Sequence, residues 1–283
     1  YELRLNNPED LSISRSVSYE ALFHAPQDRK RLSWRRLFER EVGKKLYTSA
    51  DFKLGGADSV RDQVRPNASV IGTLAQHNNE LALRIHKDLS LTQSNLWGSN
   101  RTSFNLHNVL SFYQVNPETL ESLNREIRRF DVGIDSMYIS SGPSGLFAMF
   151  HHKGLSLPIN FVEESSGTQN FVVLFAILDF ALRTGHIAIL DEFDNDLHAL
   201  LIPELLRWFQ DPERNRYKAQ LFFTAHNTSI LEHLEKEEVF FAEKDENGAT
   251  KAYGAQDIQG LRRDVDIGRK YLGGVLGAVP RFG

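Results

Sequence analysis

The 283 residues contain no cysteine. Disulfide scaffolds and Cys-ligated zinc or iron–sulfur centres are thereby excluded, and a reducing, cytoplasmic location fits. No apolar run approaches the roughly 20 residues that a bilayer span needs: the most apolar stretch, Phe171 to Leu182, is broken by Asp179. The opening residues do not read as a signal peptide. Neither sign of charge dominates, since 33 Lys+Arg against 37 Asp+Glu give a formal net charge of −4. That excludes a chain basic along its whole length, though not a local basic patch. No period of 20–50 residues repeats and no heptad seam is sustained, which excludes solenoids and long coiled coils. What remains is an ordinary globular composition, 41% hydrophobic and 25% charged, long enough to bury a sizeable core in one or two domains.

The chain changes character near residue 160. Before it the pattern is mixed α+β. Val17, Tyr19, Ala21 and Phe23 alternate as in a half-buried strand. Leu32 to Glu41 reads as a short helix, and Asp51 to Val60, with Gly55-Gly56, as a turn. Asn116-Pro117-Glu118 starts a helix, with Asn at the cap and Pro at the first helical position; Leu120, Leu123, Ile127 and Phe130 follow at helical spacing. Met137 to Ser140 and Leu146 to His151 read as strands around a Ser141–Gly145 turn.

After residue 160 the pattern tightens. Ser165-Ser166-Gly167 opens a helix with an apolar face of Phe171, Leu174, Phe175, Leu178 and Leu182, and Gly185 ends it. Ile187 to Leu190 is wholly apolar, as in a strand buried on both faces of a parallel sheet. A helix over about His198 to Phe209 has Pro203 as a kink or restart. Leu221 to Thr224 reads as a second buried strand and Glu238 to Ala242 as a third, followed by an Asn247-Gly248 turn and a return strand. Strand, helix, strand, helix, strand predicts a parallel α/β core.

Three signals carry chemistry. In His186 to Glu192, the strand ends in Asp191 and Glu192, which puts two carboxylates at the carboxyl edge of a parallel sheet, where ligands sit in open α/β folds. Such a pair can hold Mg²⁺ and polarise a water; the plainer alternative is a solvated acidic turn. His226 follows the next strand and would lie at the same edge, able to touch a phosphate or orient water; taken alone, it reads sooner as a surface-loop histidine. Ser165-Ser166-Gly167-Thr168-Gln169 lets backbone approach an anion at a helix N-terminus, or is an ordinary Ser cap. Helix tip, a spacer over 170–185, acidic strand end and then a strand ending in His form an uncommon combination.

On these residues the sequence resembles the ABC-class ATPases of the AAA-domain branch, related to the ATPase part of OLD-family nucleases and to chromosome-maintenance heads. The resemblance implies a P-loop NTPase fold: an α/β head with a mainly parallel sheet flanked by helices and an α+β, helical insertion lobe. It implies one ATPase domain over 1–283, with a β-rich part to about 70, a helical lobe over about 71–135 and the core over about 136–283. Ser165 to Gln169 resembles the signature motif, with Ser166, Gly167, Thr168 and Gln169 facing nucleotide. His186 to Glu192 resembles Walker B, with Asp191 on the magnesium side and Glu192 as the catalytic acid. Phe193 to His198 resembles the D-loop region, which adds Asp194 and Asp196 to the nucleotide site, and His226 resembles the catalytic switch histidine. Arg65 to Ser69 and the tail Tyr271 to Phe282 resemble the same branch. The implied cofactors are ATP and Mg²⁺. The implied partners are a second copy, paired head to tail around ATP, and a protein effector such as a nuclease or toxin in anti-phage defence, with no membrane involved.

One element of that family is not in these residues. Its phosphate-binding loop, Gly-x-x-x-x-Gly-Lys-Ser/Thr, is matched neither by Gly43-Lys44-Lys45 nor by Gly142-Pro143-Ser144-Gly145. Tyr1 to Leu5 already alternates like a strand, so the expectation is that the loop lies upstream and that 1–283 alone binds ATP poorly. Asp28 to Leu46 holds eight Lys/Arg and three Asp/Glu with Trp34 and Phe38 interleaved; it reads first as a solvated amphipathic helix and otherwise as a contact for nucleic-acid phosphates or an acidic partner. His151 and His152 are not expected to share a metal, because adjacent strand residues point to opposite faces. The alternative functions are a DNA-maintenance or OLD-like nuclease-associated ATPase, and a non-catalytic interaction module.

Overall fold

The computed structural model describes residues 1–5, 16–24, 34–50, 52, 64–95, 106–143, 145–261 and 265–279. The chain forms two compact units, Tyr1–Leu91 and Thr92–Gly283.

In the first unit, β1 (Glu2–Leu5), β2 (Val17–His24), β3 (Arg35–Glu41) and β4 (Tyr47–Thr48) form an antiparallel sheet in sequential order. Helices α1 (Val70–Gln76) and α2 (Glu80–Ser90) share a core with it, in which Leu22, Phe38, Val70, Ile71 and Leu74 are buried. Of the helix expected over Leu32 to Glu41, the residues Arg35 to Glu41 are instead β3, while Leu32 and Ser33 lie outside the described residues. Arg35 to Glu41 has helix-forming side chains, but ladder pairing with β2 and burial of Leu37 and Phe38 outweigh weak propensity. Arg40 donates to the carbonyls of Ala68 (2.7 Å) and Arg65 (3.0 Å), which ties the sheet to the entry of α1. Buried Glu20 accepts the N–H groups of Val70 (2.7 Å) and Ile71 (3.3 Å) and the Tyr1 hydroxyl (2.7 Å). The turn expected over Asp51 to Val60 lies outside the described residues except Phe52.

The second unit begins with β5 (Gln93–Ser94) and continues through α3 (Leu106–Val115) and α4 (Pro117–Phe130). An antiparallel sheet follows: β6 (Ile134–Gly142), β7 (Gly145–His152) and β8 (Ile159–Asn160). His151 stacks on Tyr138 while His152 bonds Glu164 at 2.6 Å, so the two rings diverge as strand alternation requires. Then comes α5 (Ser166–Thr184), which buries Phe171, Leu174, Phe175, Leu178 and Leu182 as its spacing predicts. Gly185 stops it in the left-handed region at φ 74°, and a Cβ there would meet the Tyr217 carbonyl at 2.6 Å. Next are β9 (Ile187–Leu190), α6 (Leu201–Gln210) and β10 (Gln220–Phe223). Pro203 lies in the first turn of α6, where its missing N–H costs nothing, so it neither kinks nor restarts the helix.

Among the described residues, only β10, β9 and β5, in that order, pair in parallel, so the mainly parallel sheet expected from the strand–helix alternation is there a three-stranded one. The strand expected near Glu238 to Ala242 is β11 (Phe240–Lys244); it does not extend the parallel sheet but hairpins with β12 (Thr250–Gly254). The return strand across the Asn247-Gly248 turn is the one expected from the sequence. Nor is β9 buried on both faces: Ala188 and Leu190 are buried in the core with α5, whereas Ile189 is 37% exposed and its neighbour Phe222 53%. The last helix, α7 (Ile267–Leu272), and the residues after it clasp the hairpin: Tyr271 stacks on Phe241, and the Tyr253 hydroxyl donates to the Leu276 carbonyl at 2.7 Å. Pro280, Arg281 and Phe282 lie outside the described residues. Among those described, no helix is long and apolar enough to cross a membrane.

Candidate functional site

Parallel register brings three strand ends to one edge. Leu190 pairs with Phe223 and Ser94 with Ile189, so Asp191, Thr224 and Asn95 leave the sheet side by side. The Asn95 side chain grips the Asp191 backbone from one flank: its Nδ2 donates to the Asp191 carbonyl (2.8 Å) and its Oδ1 accepts the Asp191 N–H (2.7 Å). From the other flank the Thr224 hydroxyl donates to Asp191 Oδ1 (2.6 Å) and accepts the Glu192 N–H (2.8 Å). Glu192 adopts φ 51°, a left-handed conformation that costs a non-glycine residue about 1–3 kcal/mol and concentrates at functional sites. His226 Nε2 lies 3.9 Å from Glu192 Oε1, with the imidazole largely exposed. The two acids and the imidazole thus meet at the carboxyl edge of the parallel strands, the place where open α/β sheets bind ligands.

Asp194 turns inward: its carboxylate accepts the N–H of His226 (3.0 and 3.2 Å) and of Asn227 (2.6 Å). Its visible work is to hold the backbone that carries the His226 ring. Asp196 belongs to a second group around the tip of α5. There Ser165 is the helix cap, its Oγ accepting the Thr168 N–H at 3.1 Å, and Thr168 is buried against it. The Gln169 amide donates to the Glu164 carbonyl (2.9 Å), and Ser166 stands exposed at the tip. Asn170 Nδ2 donates to the Asn195 carbonyl (2.6 Å), and the Asp196 carbonyl lies 2.8 Å from where a Gly167 Cβ would be. The helix tip is therefore locked to the 192–196 turn, which joins the two groups along the chain. A cavity of about 470 Å³ opens beside the tip, walled by Phe130, Phe171, Leu197 and Leu201 and edged by Ser165 and Asp196.

The sequence reading missed Thr224 and Asn95. Thr224 stood as the last residue of an expected strand and carried a usable signal, a hydroxyl between a buried strand and His226. Asn95, 96 residues from Asp191 along the chain, carried none.

The donor set fits one part of a magnesium–nucleotide site. Asp191 offers a hard carboxylate oxygen, and among the described residues no three His, Asp or Glu side chains gather to hold a cation unaided. Mg²⁺ suits such a place because it takes one or two carboxylates and completes its shell with water and phosphate oxygens. The phosphate cradle does not fit these residues, because no Gly-x-x-x-x-Gly-Lys-Ser/Thr is present.

A family model described as "AAA domain, putative AbiEii toxin, Type IV TA system" matches residues 12–232. The chain belongs to this AAA-domain family. The match takes in β9, β10, the tip of α5 and His226, so the site just described lies inside the AAA domain. Among solved structures, one similar chain is 13% identical with a TM-score of 0.38, covering 52% of this AAA-domain chain and 88% of itself. It belongs to work on "ATP-driven dimerization and DNA stimulated activation of SMC ATPases". No curated protein matches the sequence.

Proposed function

We propose that this AAA-domain chain supplies the acid and signature parts of an ATP-hydrolysing site. Asp191 is the magnesium-side acid, Glu192 polarises the attacking water, and His226 contacts the γ-phosphate or orients that water. Bound Mg²⁺ would offset negative charge on the phosphates. The protein's part is positional: phosphoryl transfer needs the nucleophile held in line and the developing charge met by fixed groups. The single observation that carries the reading is the placing of Asp191, Glu192 and His226 at the ends of two paired parallel strands, with His226 Nε2 3.9 Å from Glu192 Oε1. The left-handed φ of Glu192 is consistent with it, since backbone strain of this kind concentrates at functional sites.

Ser166, Gly167, Thr168 and Gln169 serve the nucleotide of a second copy in this reading, with Asp194 and Asp196 shaping the turn between the groups. Exposure of Ser166 at the end of a 19-residue helix favours anion contact there. ATP thereby couples to pairing of two copies, and the paired state switches a protein effector in the cytoplasm, in the manner of an anti-phage toxin system. The test is Glu192→Gln in the full natural protein with Mg²⁺ and ATP. Turnover is expected to fall at least 100-fold while nucleotide is retained and the dimer accumulates, read by light scattering. Full turnover in that variant, or a monomer saturated with ATP, refutes the reading.

A further inference from the structure

Thr224 makes four hydrogen bonds to four consecutive residues. Its N–H donates to the Leu190 carbonyl (2.9 Å) and its carbonyl accepts the Phe193 N–H (2.9 Å). Its hydroxyl donates to Asp191 Oδ1 (2.6 Å) and accepts the Glu192 N–H (2.8 Å). The backbone pair continues the β9–β10 ladder and would survive any substitution that keeps the strand. The hydroxyl pair is different: only a side chain that donates and accepts from one atom can make it, which restricts the position to Thr or Ser among side chains of this length.

We propose that Thr224 is the positioning residue of this site, setting the Asp191 carboxylate and the Glu192 backbone with one oxygen; the proposal rests on the assignment of Asp191 and Glu192 to magnesium–ATP. The bond to Oδ1 fixes rotation of the Asp191 carboxylate. The bond from the Glu192 N–H holds the left-handed turn that starts the Glu192 side chain toward His226. Because both bonds run through a single oxygen, the two acids cannot reorient independently. Asn95 fixes the Asp191 main chain from the β5 side, which complements the hold of Thr224 on the carboxylate. Groups that orient a metal-binding carboxylate in this way typically change metal affinity or activity by about 10- to 100-fold when removed.

The experiment uses the full natural protein and two readouts: Mn²⁺ bound in the presence of ATP, by electron paramagnetic resonance, and the Mg²⁺ concentration giving half-maximal turnover. Thr224→Val keeps the shape and the backbone bonds but loses the hydroxyl. It is expected to weaken Mn²⁺ binding and to raise the Mg²⁺ requirement by about 10- to 100-fold, with a melting temperature close to wild type. Thr224→Ser is expected to remain within about threefold of wild type by the hydroxyl argument. Thr224→Ala removes the same hydroxyl without a methyl facing the Glu192 N–H, and is expected to behave as Thr224→Val. Wild-type metal affinity in both Val and Ala variants overturns the proposal, as does a Ser variant no better than Val. Those outcomes leave the ATP site standing. A wild-type protein that binds no Mn²⁺ with ATP overturns the site assignment itself, and this proposal with it.

Discussion

Gly167→Ala tests whether the tip of α5 is locked to the 192–196 turn as described. In an open helical position, exchanging Gly for Ala stabilises a protein by about 0.5–1 kcal/mol. Gly167 is not open: the added Cβ would lie 2.8 Å from the Asp196 carbonyl oxygen, where ordinary contact begins near 3.4 Å. The turn must therefore retreat by about 0.6 Å, the difference between those two distances. It resists doing so, because the Asn195 carbonyl is held by Asn170 at 2.6 Å and Asp196 is already left-handed at φ 57°. Overpacking of this kind costs about 1–3 kcal/mol. Set against the helix gain, the net effect lies between about 0 and 2.5 kcal/mol of destabilisation, centred near 1, a fall in Tm of about 2–4 °C. Thermal melting followed by circular dichroism reads it. Adding Asn170→Ala loosens the turn, so the cost of Gly167→Ala in that background should shrink by about 0.5 kcal/mol or more. A Gly167→Ala protein more stable than wild type by the full helix gain refutes the close approach.

Two further outcomes follow from buried acids. Glu20→Ala strips two N-terminal N–H groups of α1 and the Tyr1 hydroxyl of their acceptor and should cost about 2–4 kcal/mol in urea unfolding; a loss below about 0.5 kcal/mol contradicts the buried cap. Asp179 on α5 is held above the usual aspartate range by burial, partly offset by the Arg183 guanidinium 2.9 Å away. The folded protein thus keeps this proton longer than the unfolded chain, so the group favours folding below about pH 4 and that contribution is lost as pH rises through the raised folded value. The stability of Asp179→Asn relative to wild type should accordingly climb between pH 3 and neutrality, and a difference independent of pH removes the argument.

What could be read from the chain beforehand follows the range of the interactions involved. The α5 helix was legible because its determinants are local: five apolar residues at helical spacing, a serine cap and a glycine stop, all of which appear in the fold. Arg35 to Glu41 was misread because its own side chains favour a helix, and only the ladder to β2 makes it a strand. The same logic explains β9. Four apolar residues in a row suggested burial on both faces, yet strand alternation sends Ile189 to the less covered side of a three-stranded sheet. Counting strand–helix alternations also overestimated the parallel sheet: β11 was counted as its third strand, whereas it pairs with β12 in the hairpin that the Asn247-Gly248 turn announced.

The site divides in the same way. Asp191, Glu192 and His226 could be assembled on paper because each follows an apolar strand, and parallel neighbours end at one edge. The clamp around them could not. Whether Thr224 meets Asp191, and not the residue before or after, depends on the Phe223–Leu190 register, and a slip of one residue would send its side chain to the other face. That dependence works in both directions. Since the hydroxyl bonds exist in one register only, they reward the pairing that also places His226 beside Glu192, so the polar clamp and the approach of those two side chains stand or fall together. A sequence feature that specifies register at a sheet edge is therefore also one that tunes chemistry there, which is why a threonine with no acid–base role of its own belongs among the residues to substitute first.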